Sequence, residues 1–374
     1  RGCVAHPCMQ ACPKGAISMK DGKSYIDQEK CIKCGKCKAA CPYDAISHNV
    51  RPCEQACGVK AIGSDEQGRA SILEDKCVSC GMCMVSCPFG AISDKSQIFQ
   101  LSHALRDGDK IIAIVAPAYI SQFGDDVTPG KFKTALQVLG FSDVHEVAFG
   151  ADVGAISEAH HYAKEVATGN LPFLLTSCCP SWSMMAKKFF PTMIDNISQE
   201  LTPMVATARK VKQDQPDAKV VFIGPCASKK LEAMRRTVRS DVDFVLTFEE
   251  LDAMFDAREI DPASFEEDGS LHDATAAGRG YAVAGGVAGA IEACLKEYYP
   301  DVPVHIEHAE SLAECKKVLA LAKAGKLNDC MIEGMACPGG CVAGAGTNIP
   351  IPQAVKEVTS FKNAAAEKLP SKED

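Results

Sequence analysis

The sequence predicts a small cysteine-built α+β domain over residues 1–97 and a larger α/β domain over residues 98–374. The larger one reads as two lobes of parallel or mixed sheet flanked by helices. Three observations point there. Thirteen of the 21 cysteines precede residue 90. From Asp109 onward, continuous apolar runs alternate with helical periods. The later cysteines fall in islands placed directly after such runs.

In the front part, Cys31, Cys34, Cys37 and Cys41-Pro42 form a complete CxxCxxCxxxCP run, and Cys77, Cys80, Cys83 and Cys87-Pro88 form another. Four thiols so close wrap an iron-sulfur cluster and leave no use for disulfides. Each run has a degenerate partner upstream: Cys3, Cys8 and Cys12 before the first, Cys53 and Cys57 before the second. The gaps from Cys12 to Cys31 and from Cys57 to Cys77 are 19 and 20 residues, which reads as two tandem ferredoxin-like repeats.

In two-cluster ferredoxins the fourth cysteine of a run serves the other run's cluster. One 4Fe-4S cluster is then expected on Cys31, Cys34, Cys37 and Cys12, and a second on Cys77, Cys80, Cys83 and Cys57. A third would take Cys3, Cys8, Cys41 and a ligand from a segment preceding Arg1, since the chain opens inside a cysteine pattern. A fourth would need Cys53, Cys87 and a group such as His48. The expected number is therefore two to four. A rival pairing exchanges Cys41 and Cys87 between the two complete runs. Residues 15–17, 44–46 and 90–92 are expected to supply short strands.

In the large part, strands are expected at Ile111–Val115, Val144–Ala148, Phe173–Leu175, Val220–Ile223, Phe244–Thr247, Val304–Ile306 and Cys330–Ile332. Unbroken apolar runs mark strands covered on both faces, as in parallel sheets. Helical periods fill Gly154–Thr168, Phe248–Arg258, Val287–Tyr299 and Ser311–Ala324. Three islands follow strands: Thr176-Ser177-Cys178-Cys179-Pro180-Ser181-Trp182, Pro225-Cys226-Ala227-Ser228-Lys229-Lys230, and Met335-Ala336-Cys337-Pro338-Gly339-Gly340-Cys341. The carboxyl ends of strands are where α/β folds assemble sites from distant segments.

A formal net charge of -8 argues against nucleic acid or an anionic membrane surface as partner. The sequence has neither a membrane-length apolar run nor a signal peptide pattern, so a reducing cytoplasm is the expectation.

The three islands resemble the signature motifs of FeFe-hydrogenases, over roughly residues 98–350. The resemblance implies a reversible reduction of two protons to hydrogen. It implies an H-cluster, a 4Fe-4S cubane joined to a diiron unit that carries carbonyl, cyanide and an azadithiolate bridge. By the same resemblance Cys179, Cys226, Cys337 and Cys341 hold the cubane, Cys341 bridges to the diiron unit, and Lys229 donates to a cyanide. Cys178 passes protons to the bridge amine, with Glu158 and Ser198 behind it. His161 and Glu165 stand at the outer positions where many members have Glu and Arg.

Around the cofactor the resemblance implies Pro117, Ala118, Met204, Gly224, Pro225, Tyr281 and Met335. Gly224 and Met204 replace the Met and Gln of better-known members, Ala118 a common Ser, and Tyr281 a Phe; this is similar to the branch called group B. Partners implied are a ferredoxin-like electron carrier and H-cluster maturation enzymes. The alternatives are a hydrogenase-like iron-sulfur assembly factor, which binds only a cubane, a slow hydrogen sensor, or a plain polyferredoxin. The doubled Cys178-Cys179 speaks against the assembly factor, and the absence of a signalling domain between Pro352 and Asp374 against the sensor. The long second domain speaks against the polyferredoxin.

Overall fold

A computed structural model of the chain describes residues 2–47, 50–267, 271 and 274–372. Two compact units divide it, Arg1–Gln55 and Ala56–Asp374. The division falls inside the cysteine-rich region and not at residue 97. Its physical reason is packing: Val59, Ala61 and Val78 of the second repeat share a buried cluster with Phe173, Trp182 and Leu312.

In the first unit, β1 (Ile17–Lys20) and β2 (Lys23–Ile26) form an antiparallel hairpin. Its turn residues Asp21 and Gly22 have φ of 49° and 70°, the left-handed pair that an Asp-Gly turn supplies. The second repeat has the matching hairpin, β3 (Ile62–Ser64) with β4 (Ala70–Ile72), in the large unit. Residues 44–46 and 90–92 are not strands. They follow the last cysteine of a complete run, and Ala45 and Ala91 among them are exposed.

The large unit contains two parallel sheets. One has the order β6-β5-β8-β9, from β5 (Ile111–Val115), β6 (Asp143–Glu146), β8 (Lys219–Ile223) and β9 (Phe244–Leu246). The other has the order β10-β11-β7, from β7 (Phe173–Leu175), β10 (Ile306–Glu310) and β11 (Cys330–Met335). All of β5, β7 and β11 is buried, which is why β5 and β7 read as continuous apolar runs; in β11 the run ends at the buried Glu333. In the second sheet the strand period divides the core: Phe173, Leu175, Cys330 and Ile332 pack to one face, Leu174 and Met331 to the other.

Several expected boundaries move, among them the end of the strand expected at Ile332, which runs to Met335. The strand at Val144 stops at Glu146, and helix Val147–His161 begins at once and ends in a π-helical turn, Tyr162–Val166. The run at Val304 becomes β10 only from Ile306.

The end of β6 is fixed by a buried pair. Arg279 donates from Nε and Nη2 to Glu146 at 2.9 and 2.6 Å, and its Nη2 also reaches the Leu271 carbonyl at 3.1 Å. Neither partner meets solvent, so removing one leaves the other charge uncompensated. Glu146→Ala is expected to cost about 3 to 5 kcal/mol, read as a lower denaturant midpoint at unchanged slope.

Candidate active site and cluster sites

The C-terminal ends of β7, β8 and β11 each release one cysteine island toward the same space. Local contacts explain the convergence. Trp182 Nε1 donates to the Thr176 carbonyl at 2.9 Å, and Gly334 lies so close to the Trp182 indole that a Cβ there would overlap it. The Gly346 amide donates to the Pro225 carbonyl at 2.9 Å and ties the third island's exit to the second. Gly340, at φ 93°, runs against the backbone of Ala282 and Ala284, where a Cβ would come within 2.5 Å of the Ala284 nitrogen.

The result is a cavity lined by Cys179, Cys226, Cys337 and Cys341, together with Cys178 and Lys229. Most of its other lining is apolar. Burial pushes the Cys226 thiol up to about 11 and Cys341 up to about 12, and the neighbouring cysteines add to both. Cys337 is raised for the same two reasons, with Cys226, Cys179 and Cys341 as its sulfur neighbours. Cys179 and its neighbours lie near enough to raise Cys226, Cys337 and Cys341, so the set is poor company as bare thiolates and a suitable donor set for a soft, multiply charged iron-sulfur centre.

One further observation fits an additional group in this space. Lys229 Nζ is fixed by Glu232 at 2.6 Å and lies 3.4 Å from the Cys178 carbonyl. Glu232 in turn accepts from Thr202 Oγ1 at 2.9 Å. The buried ammonium thus has a built counter-charge, and its charge lowers the cost of ionising Cys226 and Cys341.

Cys178 borders the cavity, and its thiol is raised by burial first and then by the Glu158 charge. Glu158 is buried on helix Val147–His161; burial lifts its carboxyl to about 7, against the lowering influence of the Ser198 hydroxyl and the Ser177 amide. A carboxyl near neutrality can both take and give a proton. Beyond it, Ser177 Oγ donates to the Glu200 carbonyl at 3.2 Å and the Glu200 amide donates to Ser198 Oγ at 3.3 Å. Glu200 is half-buried, and its charge also raises Glu158. Of the expected outer groups, Glu165 accepts from Asn170 at 3.3 Å and pairs with Lys164 at 3.9 Å.

Pro117, Ala118, Pro225, Tyr281 and Met335 line the cavity as expected; Met204 and Gly224 do not. Met204 is fully buried in the core, and the preceding Pro203 takes the wall. At Gly224 a Cβ would lie 2.5 Å from the Phe222 ring, so that ring occupies the room and lines the cavity itself. The signal for Phe222 was present as a glycine where a large side chain was anticipated two residues away.

The cluster cysteines separate into two further cavities. One is lined by Cys12, Cys31, Cys34 and Cys37, the other by Cys57, Cys77, Cys80 and Cys83. Cys3, Cys8, Cys41, Cys53 and Cys87 line neither of them. Cys8 and Cys53 are buried. Cys41 and Cys87 keep the arrangement of Cys12 and Cys57, each sulfur accepting from the amide four residues on, at 3.1 to 3.4 Å. His48 lies outside the described residues. Cys80 belongs to two cavities, since it also lines that of the three islands.

A family model described as "Iron only hydrogenase large subunit, C-terminal domain" matches residues 109–345, all three islands included. The chain belongs to the iron-only hydrogenase family. The cysteine-rich part of this hydrogenase matches a 4Fe-4S binding domain over residues 24–47 and an LdpA Fe-S cluster-binding domain over 47–98. Iron hydrogenase 1 of Clostridium pasteurianum is 30% identical over 408 residues, covering 95% of this chain and 70% of that protein. The periplasmic iron hydrogenase large subunit of Nitratidesulfovibrio vulgaris is 32% identical over 377 residues, covering 86% and 85%. A solved apo FeFe-hydrogenase variant from Chlamydomonas reinhardtii superposes with a TM-score of 0.59 at 22% identity, over 72% of this chain and 89% of that one. That likeness shows the α/β fold. Among the described residues no helix is long and apolar enough to cross a membrane.

Proposed function

We propose that this hydrogenase interconverts two protons and two electrons with hydrogen at an H-cluster held by Cys179, Cys226, Cys337 and Cys341. Bound there, the cofactor supplies the iron chemistry that makes and breaks the hydrogen–hydrogen bond. The observation that carries this reading is Cys178: a fifth thiol at the same cavity as the four, surplus to a cubane, with a near-neutral carboxyl behind it.

The chain's own groups then have defined tasks. Cys178 holds a proton at its Sγ, made a reluctant thiolate by burial, and exchanges it with Glu158. Ser198 connects Glu158 outward, Glu200 adds a half-buried carboxylate beside them, and His161 and Glu165 stand at the outer positions where many members have Glu and Arg. Lys229 offers ammonium hydrogens to an anionic metal ligand while Glu232 keeps it oriented. Apolar walls including Phe222, Ala118 and Met335 exclude water. Electrons arrive through 4Fe-4S clusters on the Cys12 and Cys57 sets, from a ferredoxin-like carrier, and maturation enzymes supply the diiron unit. A reducing, cytoplasmic location suits so many thiolates.

An assembly factor with a lone cubane would leave Cys178 idle. Matured protein is expected to show infrared bands from metal-bound carbonyl and cyanide and to evolve hydrogen from a reduced carrier. A matured sample silent in that spectral region would instead favour the assembly factor.

A further inference from the structure

Two carboxylates outside the proton route converge on the loop that carries Cys337 and Cys341. Glu333 is 1% exposed and Glu310 lies at the surface, and the β10–β11 register sets His308 beside Glu333 and Glu310 beside Met335. Side chains two residues apart on a strand share a face, so these four stand together on one side of the sheet. With Ala284 and Gly285 they line one small cleft, and Met335 also lines the cavity of the three islands.

Glu310 grips the loop directly. Its Oε2 accepts from the Gly339 amide at 2.6 Å, while the Gly339 carbonyl accepts from the Ala284 amide at 3.0 Å. Gly339 is thus held at both polar atoms of its backbone, midway between the two cysteines. Glu310 is itself fixed, as the last residue of β10 and the N-cap of helix Ser311–Lys323.

Glu333 acts one step further back. Its Oε1 accepts from the Gly285 amide and its Oε2 from the Ala288 amide, each at 3.2 Å, which satisfies two amides that the start of helix Gly286–Tyr298 leaves without a partner in the helix. His308 Nδ1 lies 3.1 Å from the second oxygen. The segment just before that helix is the surface on which the loop folds: the Ala282 carbonyl accepts from the Val342 amide at 3.1 Å, and the Ala284 amide is the donor to Gly339. Gly339 and Gly340 have φ of 92° and 93°, and two adjacent glycines give the loop little stiffness of its own. What holds its backbone therefore decides where its sulfurs stand.

We infer that Glu310 and Glu333 are positioning residues that fix where the Cys341 sulfur meets the cofactor, Glu310 by holding the Gly339 amide and Glu333 by holding the helix start whose preceding segment takes the Gly339 carbonyl. This rests on the H-cluster reading above.

The test uses the full chain with its accessory clusters. Glu310→Ala is expected to speed hydrogen exchange at the Gly339 amide roughly 10- to 100-fold, the effect of losing a hydrogen bond to a carboxylate. In matured protein its carbonyl and cyanide bands are expected to shift or double, because the loop then samples more than one position. Glu310→Gln keeps an acceptor oxygen and is expected to restore both the exchange rate and the bands. Glu333→Gln sets an N–H group against donors and is expected to change the bands likewise, with faster exchange at Gly285 and Ala288. Unchanged exchange at Gly339 in Glu310→Ala overturns the inference, as do bands coincident with wild type in Glu310→Ala or Glu333→Gln, or a Glu310→Gln variant that behaves as Glu310→Ala. If Glu333→Gln does not fold, the Glu310 pair decides alone. Absence of the bands from wild type and variants alike removes the H-cluster reading instead. The paramagnetic resonance spectrum of the reduced cubane then takes their place, and a Glu310→Ala spectrum identical to wild type overturns the inference.

Discussion

Cys178→Ser is expected to leave the carbonyl and cyanide bands of matured protein in place while lowering turnover by roughly 10²- to 10⁴-fold, the range lost when a positioned proton-transfer group is removed. The two readouts separate because Cys178 is not one of the four proposed ligands, although it is adjacent to Cys179 on the loop after β7. A serine hydroxyl fits the same space but holds its proton far more tightly, so the hand-over from Glu158 stalls. Glu158 near neutrality is matched to a thiol and mismatched to an alcohol. Turnover equal to wild type in Cys178→Ser would end the relay assignment, and loss of the bands would move Cys178 into the ligand set.

Gly340→Ala is expected to strip the cofactor itself. At φ 93° and ψ -158° the residue occupies backbone space that is essentially glycine's, and a non-glycine residue there costs of order 1 to 3 kcal/mol before any collision. The collision is with main chain, the Ala284 nitrogen and the Ala282 carbonyl, so no side chain can swing aside. Relief can come only by moving the Gly339–Cys341 segment, which carries the Cys341 sulfur away from its three partners. The variant should fold, purify with iron lowered by about one cluster, and lose hydrogen evolution below detection. Retention of wild-type iron and activity would mean that the loop yields without cost.

Much of the fold was legible because parallel strands buried on both faces leave unbroken apolar runs, and because each island sat at a strand's end. β5, β7 and β11 were placed within a few residues on that ground alone. The hairpins of the two repeats were less accessible: Ile62–Ser64 and Ala70–Ile72 are three residues each, too short for a periodicity to show. The retreat of Met204 and the entry of Phe222 depend on how β8 and helix Pro203–Asp214 approach one another, which no local pattern encodes. Glu200 was missed for the same reason, since its link to Ser177 spans 23 residues. The second repeat joined the large unit through Val59, Ala61 and Val78, apolar residues that a cysteine count passes over.

Cys80 stands in the wall shared by a front-end cluster cavity and the cavity of the three islands, and it adds to the raised ionisation of Cys337 across that wall. With a cluster held by the Cys57 set and the proposed centre held by the three islands, charge on one would be felt at the other, and the two reduction potentials would be properties of the pair.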